Sequence, residues 1–300
     1  MKKILMILLS TLIYFACSEK KEEQSINESK IKSVTSVNYP LHFFVTQIGG
    51  SKVDALFPIP ADVDPAYWEP AAEDIIIYQE ADLILLNGAG YAKWVDKVSL
   101  PPSKMINTSL PFKDKYIELE EGQTHSHGPE GEHEHHGFAF TTWLNFKYAK
   151  IQAEEIKKAL INLMPENRSV FEENYSNLAR EIDDLDRQMN EMAISLKEQI
   201  ILGSHPIYQY LSSGYGLNIE SFHWEADEMP DEFMWENFDN RQSKLKANIM
   251  LWEDDPLPEI KQELLKRRIR IAVFKPCANT PTSSDFLNLM KTNIIDFAEL

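Results

Sequence analysis

Eight apolar residues constrain this chain more than any others: Phe171, Tyr175, Leu178, Ile182, Leu185, Met189, Met192 and Leu196. Their spacing alternates steps of four and three without a break. That spacing draws one continuous apolar stripe on a single α-helix. Pro165 suits the first helical position, because its missing N–H has no helical partner to lose there. The pattern predicts a helix from Pro165 to about Lys197. At about 1.5 Å per residue it is about 45 Å long, more than one small lobe needs. Such a helix works either as a strut shared by two lobes or, since the stripe is also a heptad, as one strand of a coiled-coil dimer.

On both sides of this helix the text alternates strand-like and helix-like segments. Upstream, strands are expected at Ser33–Val37, Val53–Phe57, Leu83–Leu86 and Lys104–Asn107. Helices are expected at Leu41–Ile48, Ala71–Glu80, Tyr91–Val98 and Leu144–Leu163. Gly49-Gly50 marks a helix end, and Leu83–Leu86 is wholly apolar, as a strand buried on both faces should be. Downstream, strands are expected at Gln199–Gly203, Leu217–Phe222, Ala247–Trp252 and Ile269–Phe274. The helices between and after them fall at His205–Ser212, Pro230–Ser243, Pro258–Arg268 and Ser283–Phe297. Repeated βα units imply parallel sheets covered by helices, with ligands at the carboxyl ends of the strands. The expected fold class is therefore α/β. Two lobes, 33–163 and 199–300, each carry a parallel sheet flanked by helices, and one long rigid helix, 164–198, joins them.

The N-terminus stands apart from this fold. Lys2-Lys3 precede an apolar run from Ile4 to Ala16, interrupted by Ser10 and Thr11 and too short for a good membrane span. Ala16-Cys17 resembles the lipobox of bacterial lipoproteins, although Tyr14 and Phe15 depart from the usual Leu and small residue. The resemblance implies a signal peptide over 1–17 and lipidation of Cys17. The alternative is ordinary secretion with cleavage nearby. Either way the chain is expected outside the cytoplasm, in the cell envelope on a periplasmic or extracellular face. Residues 18–32, rich in Ser, Glu, Lys, Gln and Asn, form a tether. Cys277 is the only other cysteine, so no intrachain disulfide framework is available. Loss of Lys2 and Lys3 takes the net charge from −17 to −19. That balance excludes nucleic acid as a partner and favours cations.

Five of the eight histidines lie between residues 125 and 136: His125, His127, His133, His135 and His136. Neutral imidazole is a common ligand for zinc-like metals, and His-rich tracts are read as metal-binding on composition. The Gly, Pro and Glu residues among them predict a mobile loop over 121–137. Such a loop would collect metal weakly and in variable number. The alternative is a solvated polar loop with no ligand. Enzyme motifs are missing. His133-Glu134-His135-His136 lacks the spacing of a helical zinc-protease motif, and the text holds no nucleophile elbow or Walker A sequence. Asp183-Asp184 and Asp254-Asp255 fit solvated faces better than catalytic pairs.

Several segments together resemble the zinc/manganese class of metal-binding substrate-binding proteins of ABC transporters. They are Tyr39-Pro40-Leu41 with Ile48-Gly49-Gly50, Asp64-Pro65-Ala66-Tyr67-Trp68-Glu69-Pro70, and Ala81-Asp82-Leu83 with Asn87-Gly88-Ala89-Gly90 and Trp94-Val95-Asp96-Lys97. Trp143-Leu144, Asn174-Tyr175 and Leu185-Asp186 also match. The resemblance implies a monomeric, non-enzymatic receptor that holds one metal between two lobes and passes it to a membrane permease. Zinc is the expected metal, with manganese or another divalent ion as alternatives.

Carried over residue by residue, the family pattern puts metal ligands at Ala66, Thr141, His205 and Lys275. Only His205 can serve, and Lys275, protonated at neutral pH, would repel a cation. A rebuilt site could draw on Glu69, His223, Glu225, Glu253, Asp254 or Cys277. Alternatively, Lys275 and Thr141 hold an anionic or polar ligand, with Tyr67, Trp68, Trp143 and Trp224 as aromatic walls or simply as hinge and core packing. The expected function is a metal-binding, lipid-anchored solute-binding protein of an ABC-type uptake system. The other possibility is a degenerate paralogue that binds a non-metal ligand or serves as an interaction or adhesion module.

Overall fold

The computed structural model describes residues 31–119, 124–126, 132–134 and 137–300. Cys17, the signal segment, His127, His135 and His136 lie outside the described residues. The first sheet is built from β1 (Lys32–Ser36), β2 (Val53–Leu56), β3 (Leu83–Leu86) and β4 (Met105–Asn107). All pairs are parallel and the order is β2-β1-β3-β4. Helices α1 (Tyr39–Gly49) and α2 (Ala72–Glu80) supply its crossovers. A short antiparallel pair follows, β5 (Thr124–Ser126) and β6 (Glu132–Glu134), then α3 (Phe146–Leu163) and α4 (Arg168–Leu196). The second sheet has order β10-β9-β7-β8 and is again parallel. Its strands are β7 (Ile200–Gly203), β8 (Asn218–Ser221), β9 (Ile249–Trp252) and β10 (Arg270–Val273). Its helices are α5 (Gln209–Tyr215), α6 (Glu232–Leu245), α7 (Pro258–Lys266) and α8 (Phe286–Ala298).

The stripe on α4 is covered within the chain. Phe171, Leu178, Ile182, Leu185, Met189, Met192 and Leu196 are buried, and α4 packs on α1, α3 and α8. No seam is left for a coiled-coil partner along that stripe. Tyr175 is only half-covered, and the Lys157 ammonium lies 4.2 Å from its ring centroid. One apolar core runs from Val34 and Phe44 through Ile182 and Met189 to Ile249, Phe274 and Phe286, so both sheets share it. Helix α8, last in sequence, returns to α1, where Phe286 meets the Phe43 and Phe44 rings at 5.8 and 5.2 Å. Direct bonds also join the lobes. Tyr39 N–H donates to the Ala278 carbonyl at 2.9 Å, and the Asn279 amide donates to the Pro60 and Val63 carbonyls.

A buried polar hub positions the wall of the cleft between the sheets. Asn87 Oδ1 accepts from the Asn38 amide, the Gln152 amide and the Thr142 hydroxyl, each at 3.2 Å. Its Nδ2 donates to the Phe140 carbonyl at 2.9 Å. Every member has a partner, as burial demands.

Within 121–137, the described residues Thr124, His125 and Ser126 pair in antiparallel register with Glu134, His133 and Glu132. Two local expectations are corrected. Tyr91–Val98 is not an α-helix, because Ala89 and Ala92 take left-handed backbone angles and leave only a 3-10 turn at Lys93–Lys97. The helix expected from His205 begins only at Gln209. Pro206 biases the residue before it away from helix, and Ile207 N–H closes a tight turn on the His205 carbonyl at 3.0 Å. Elsewhere helix starts move to capping aspartates, Asp231 for α6 and Asp285 for α8.

Gly88 has φ +76°, and a Cβ there would overlap the side-chain oxygens of Ser109 and Asn107. Gly88→Ala is expected to cost about 2–3 kcal/mol from backbone strain and overlap, read as a lower denaturant midpoint with unchanged slope. A loss below about 0.5 kcal/mol would mean that this turn relaxes freely.

Candidate metal centre

The ends of three second-sheet strands bring chemistry to one place. His205 follows β7 by two residues, Glu253 follows β9 directly, and Glu225 lies on the segment after β8. Backbone bonds fix that segment: Phe222 N–H donates to Gly203 O and Trp224 N–H to Ser204 O, both at 2.8 Å. His205 is only 3% exposed. Its Nδ1 lies 2.7 Å from Glu253 Oε1 and 3.9 Å from Glu225 Oε1. One ligand atom from each of the three groups can be chosen so that all lie within 4.8 Å of one another. Ligand atoms around tetrahedral zinc sit roughly 3.3 Å apart, so a modest contraction would let the three bind one ion. The donor set, one imidazole and two carboxylates, suits zinc or manganese.

Burial alone would depress the His205 pKa, but the Glu253 hydrogen bond and the charges of Glu253, Glu225 and Asp64 outweigh it and raise the value. The Glu225 carboxyl is raised by burial and by Glu253, against the pull of His205. Asp64, from the loop after β2, is also raised, chiefly by its surroundings and secondarily by Glu253. Asp64 is exposed at the cleft, and its Oδ1 accepts the Ala66 N–H at 2.8 Å. His205, Glu253 and Asp64 line one end of a small cleft of about 80 Å3, whose other walls include Tyr67, Tyr91, Phe140 and Trp143.

The remaining positions fall elsewhere. Ala66 is buried with no donor side chain, and the Thr141 hydroxyl donates to the Ile207 carbonyl at 2.5 Å. Lys275 turns outward to Asp254 Oδ1 at 2.5 Å and is not among the residues lining the cleft. It therefore neither repels a metal there nor provides the cation for an anionic ligand. That pairing also occupies Asp254, and Glu69 is exposed beside Lys97. His223 packs its ring edge-on to His205, centroids 5.9 Å apart. Cys277 is buried outside the cluster. Burial, with Asp285 nearby, pushes its thiol up to about 12. Trp68 packs with Tyr78 and Trp94, and Trp224 packs in the second core with Trp235, Phe238 and Trp252. Tyr67 and Trp143 do line the cleft, the latter held by its Nε1–H bond to the Pro276 carbonyl at 2.7 Å. Asp64 was not among the sequence candidates. Its place two residues before Ala66, in the first-ligand segment, was the available signal. His125 and His133 are backbone register partners in the β5–β6 pair.

Residues 34–300 match the family model described as zinc-uptake complex component A, periplasmic. The chain belongs to this family. The zinc-binding lipoprotein AdcA of Streptococcus pneumoniae is 30% identical over 224 residues, covering 72% of this chain and 43% of that protein. The chain thus matches less than half the length of that curated relative. The manganese ABC transporter substrate-binding lipoprotein PsaA of Streptococcus anginosus is 28% identical over 238 residues, covering 76% and 73%. Among solved structures, the Zn(II)-bound ZnuA-like domain of pneumococcal AdcA superimposes with a TM-score of 0.76 at 21% identity, covering 90% of this chain and 98% of that one. The metal-dependent lipoprotein YcdH of Bacillus subtilis gives 0.76 at 20% identity, with the same coverages. The family fold, two parallel sheets joined through a long helix, is the one observed. Among the described residues no helix is long and apolar enough to cross a membrane.

Cys277 gives a direct check of the packing behind the cleft. In the domain from Glu19 it is the only thiol. Native protein at pH 8 is expected to resist a thiol reagent for hours and to react at once in denaturant. Because the folded pKa is raised to about 12, the thiol's contribution to stability is complete below about pH 8.5 and is lost as pH rises above it. Fast labelling of folded protein would contradict the packing.

Proposed function

We propose that this protein is an extracytoplasmic receptor for a divalent metal ion, zinc foremost, that delivers its cargo to the permease of an ABC-type uptake system. It acts by binding and release, without catalysis. The family membership, the zinc- and manganese-binding relatives and the His205–Glu225–Glu253 cluster support this. The cluster is the observation that carries it, because it rebuilds a ligand set where the family pattern leaves only His205.

The Nδ1 side of His205 faces both glutamates, so an arriving ion takes the place of the proton shared with Glu253. Binding therefore releases a proton and weakens as pH falls. Glu225 and Glu253 supply oxygen ligands, and Asp64 adds negative charge from the other wall. The histidines His125, His127, His133, His135 and His136 serve as a low-affinity collector ahead of the cleft. Cys17 carries a lipid anchor, a proposal supported by the lipoprotein names of the relatives. The chain functions as a monomer. The substituted positions Ala66, Thr141 and Lys275 favour a second reading, a degenerate paralogue that binds no metal in its cleft and serves another ligand or surface.

Calorimetric zinc titration of the domain from Glu19, with and without residues 121–137, separates the two. One tight site is expected to survive the deletion. His205→Ala and Glu253→Gln should each weaken it at least tenfold, about 1.4 kcal/mol or more. If all binding disappears with 121–137, the second reading holds.

A further inference from the structure

His205, Glu225 and Glu253 all follow strands of the second sheet, so the proposed ligands come from one lobe. The family pattern expects two further ligands from the other lobe, at positions 66 and 141. Ala66 has no donor side chain. Thr141 has a hydroxyl, and the protein itself takes it. The residue is 4% exposed, and its Oγ1 donates to the Ile207 carbonyl of the opposite lobe at 2.5 Å.

Both ends of this bond are held in place. Thr141 stands between two residues tied to the buried hub: the Asn87 amide donates to the Phe140 carbonyl at 2.9 Å, and the Thr142 hydroxyl donates to Asn87 Oδ1 at 3.2 Å. Leu144 N–H closes a turn on the Thr141 carbonyl at 3.1 Å. On the opposite lobe, Ile207 lies two residues past His205, and its N–H bonds the His205 carbonyl at 3.0 Å. Before His205, the sheet fixes the chain: Ser204 N–H donates to Leu251 O and Ser204 O accepts from Trp224 N–H, both at 2.8 Å. After it, the Tyr208 hydroxyl donates to the Phe274 carbonyl at 3.0 Å. Helix α5 begins only at Gln209, and the Ile207 carbonyl takes no bond from it. Thr141 is the partner of that carbonyl among the described residues. Between the two anchors, the bond from Thr141 sets where the turn carrying His205 stands.

We propose that Thr141 is a positioning residue for His205, a clasp that sets the imidazole in place before the metal arrives. The proposal rests on the metal-receptor reading. At a position where the family pattern has a ligand, this chain reaches the ligand-bearing turn instead of the ion. Without the clasp, the 205–208 turn samples positions in which Nδ1 does not face Glu225 and Glu253. The apparent affinity then falls by the fraction of time the turn spends in place. The bond carries no formal charge and touches none of the three ligands, so its loss leaves the donor set and its charge unchanged. Valine keeps the shape of threonine and loses the donor, whereas serine keeps the donor.

The test compares wild type, Thr141→Val and Thr141→Ser in the domain from Glu19. Zinc affinity of the tight site is read by competition with a chelating dye, and order in the turn by hydrogen exchange at the Ile207 and Tyr208 amides. Thr141→Val is expected to bind zinc about fivefold more weakly, the net worth of one hydrogen bond, and Thr141→Ser to bind like wild type. In metal-free protein the two amides should be protected in wild type and the serine variant. In the valine variant they should exchange fast until zinc is added, with exchange in α4 and the sheets unchanged. If the valine variant does not fold, wild type alone decides: amides that stay open until zinc binds overturn the clasp, and amides already protected without zinc support it. Equal zinc affinity in wild type and Thr141→Val, or a serine variant as weak as the valine one, overturns the clasp and leaves the receptor reading intact. No tight zinc site in wild type overturns both.

Discussion

The apolar stripe of α4 is the constraint on which the rest of the structure depends. Eight buried side chains along one 29-residue helix sit in a core that both sheets share. Burial of large apolar side chains stabilises by about 1.5–3 kcal/mol each, so the helix cannot be released from either lobe at small cost. Helix α8 extends the coupling by carrying Phe286 of the C-terminal half onto α1 of the N-terminal half. Direct bonds such as Tyr39 to Ala278 and Trp143 to Pro276 tie the lobes at the cleft itself. The two lobes are therefore braced against one another through a shared core and through bonds at the cleft.

On those walls the charged groups are held against their own preferences. His205 is buried, Glu225 and Asp64 have raised pKa values, and Glu253 binds the imidazole. Carboxylates gathered in a partly dry cleft repel one another, and a protonated His205 only partly offsets that. On the proposed receptor reading, a divalent cation would relieve that repulsion and take the proton's place beside His205. Lys275 belongs to a different circuit. It pairs with Asp254 at the surface, outside the cluster.

The βα alternation and the α4 stripe were legible because each follows from local periodicity: strands from apolar runs, the helix from its four-three spacing. Leu83–Leu86 needed only its own four apolar residues to be placed, and the structure has it at those bounds. Elements governed by backbone chirality or capping were less legible. Ala89 and Ala92 adopt left-handed angles that an alanine's side chain gives no warning of. Asp231 and Asp285 set helix starts through bonds back to the chain. Pairing within 121–137 depends on which strand segment meets which, a choice that composition cannot express.

For the site the division is the same. Once the family resemblance marked four ligand positions, side-chain chemistry, which is local, was enough to see that Ala66, Thr141 and Lys275 do not carry the expected ligands and that His205 does. The sequence also named Glu225 and Glu253, but beside Glu69, His223, Asp254 and Cys277. Only the tertiary structure decided. Parallel pairing of β7 with β8 and β9 brings the segments after three strands to one edge, and the Trp224–Ser204 backbone bond swings Glu225 toward the histidine. Asp64 joins them from more than a hundred residues away. Long-range convergence of this kind is set by sheet order and core packing, which no single stretch of sequence contains.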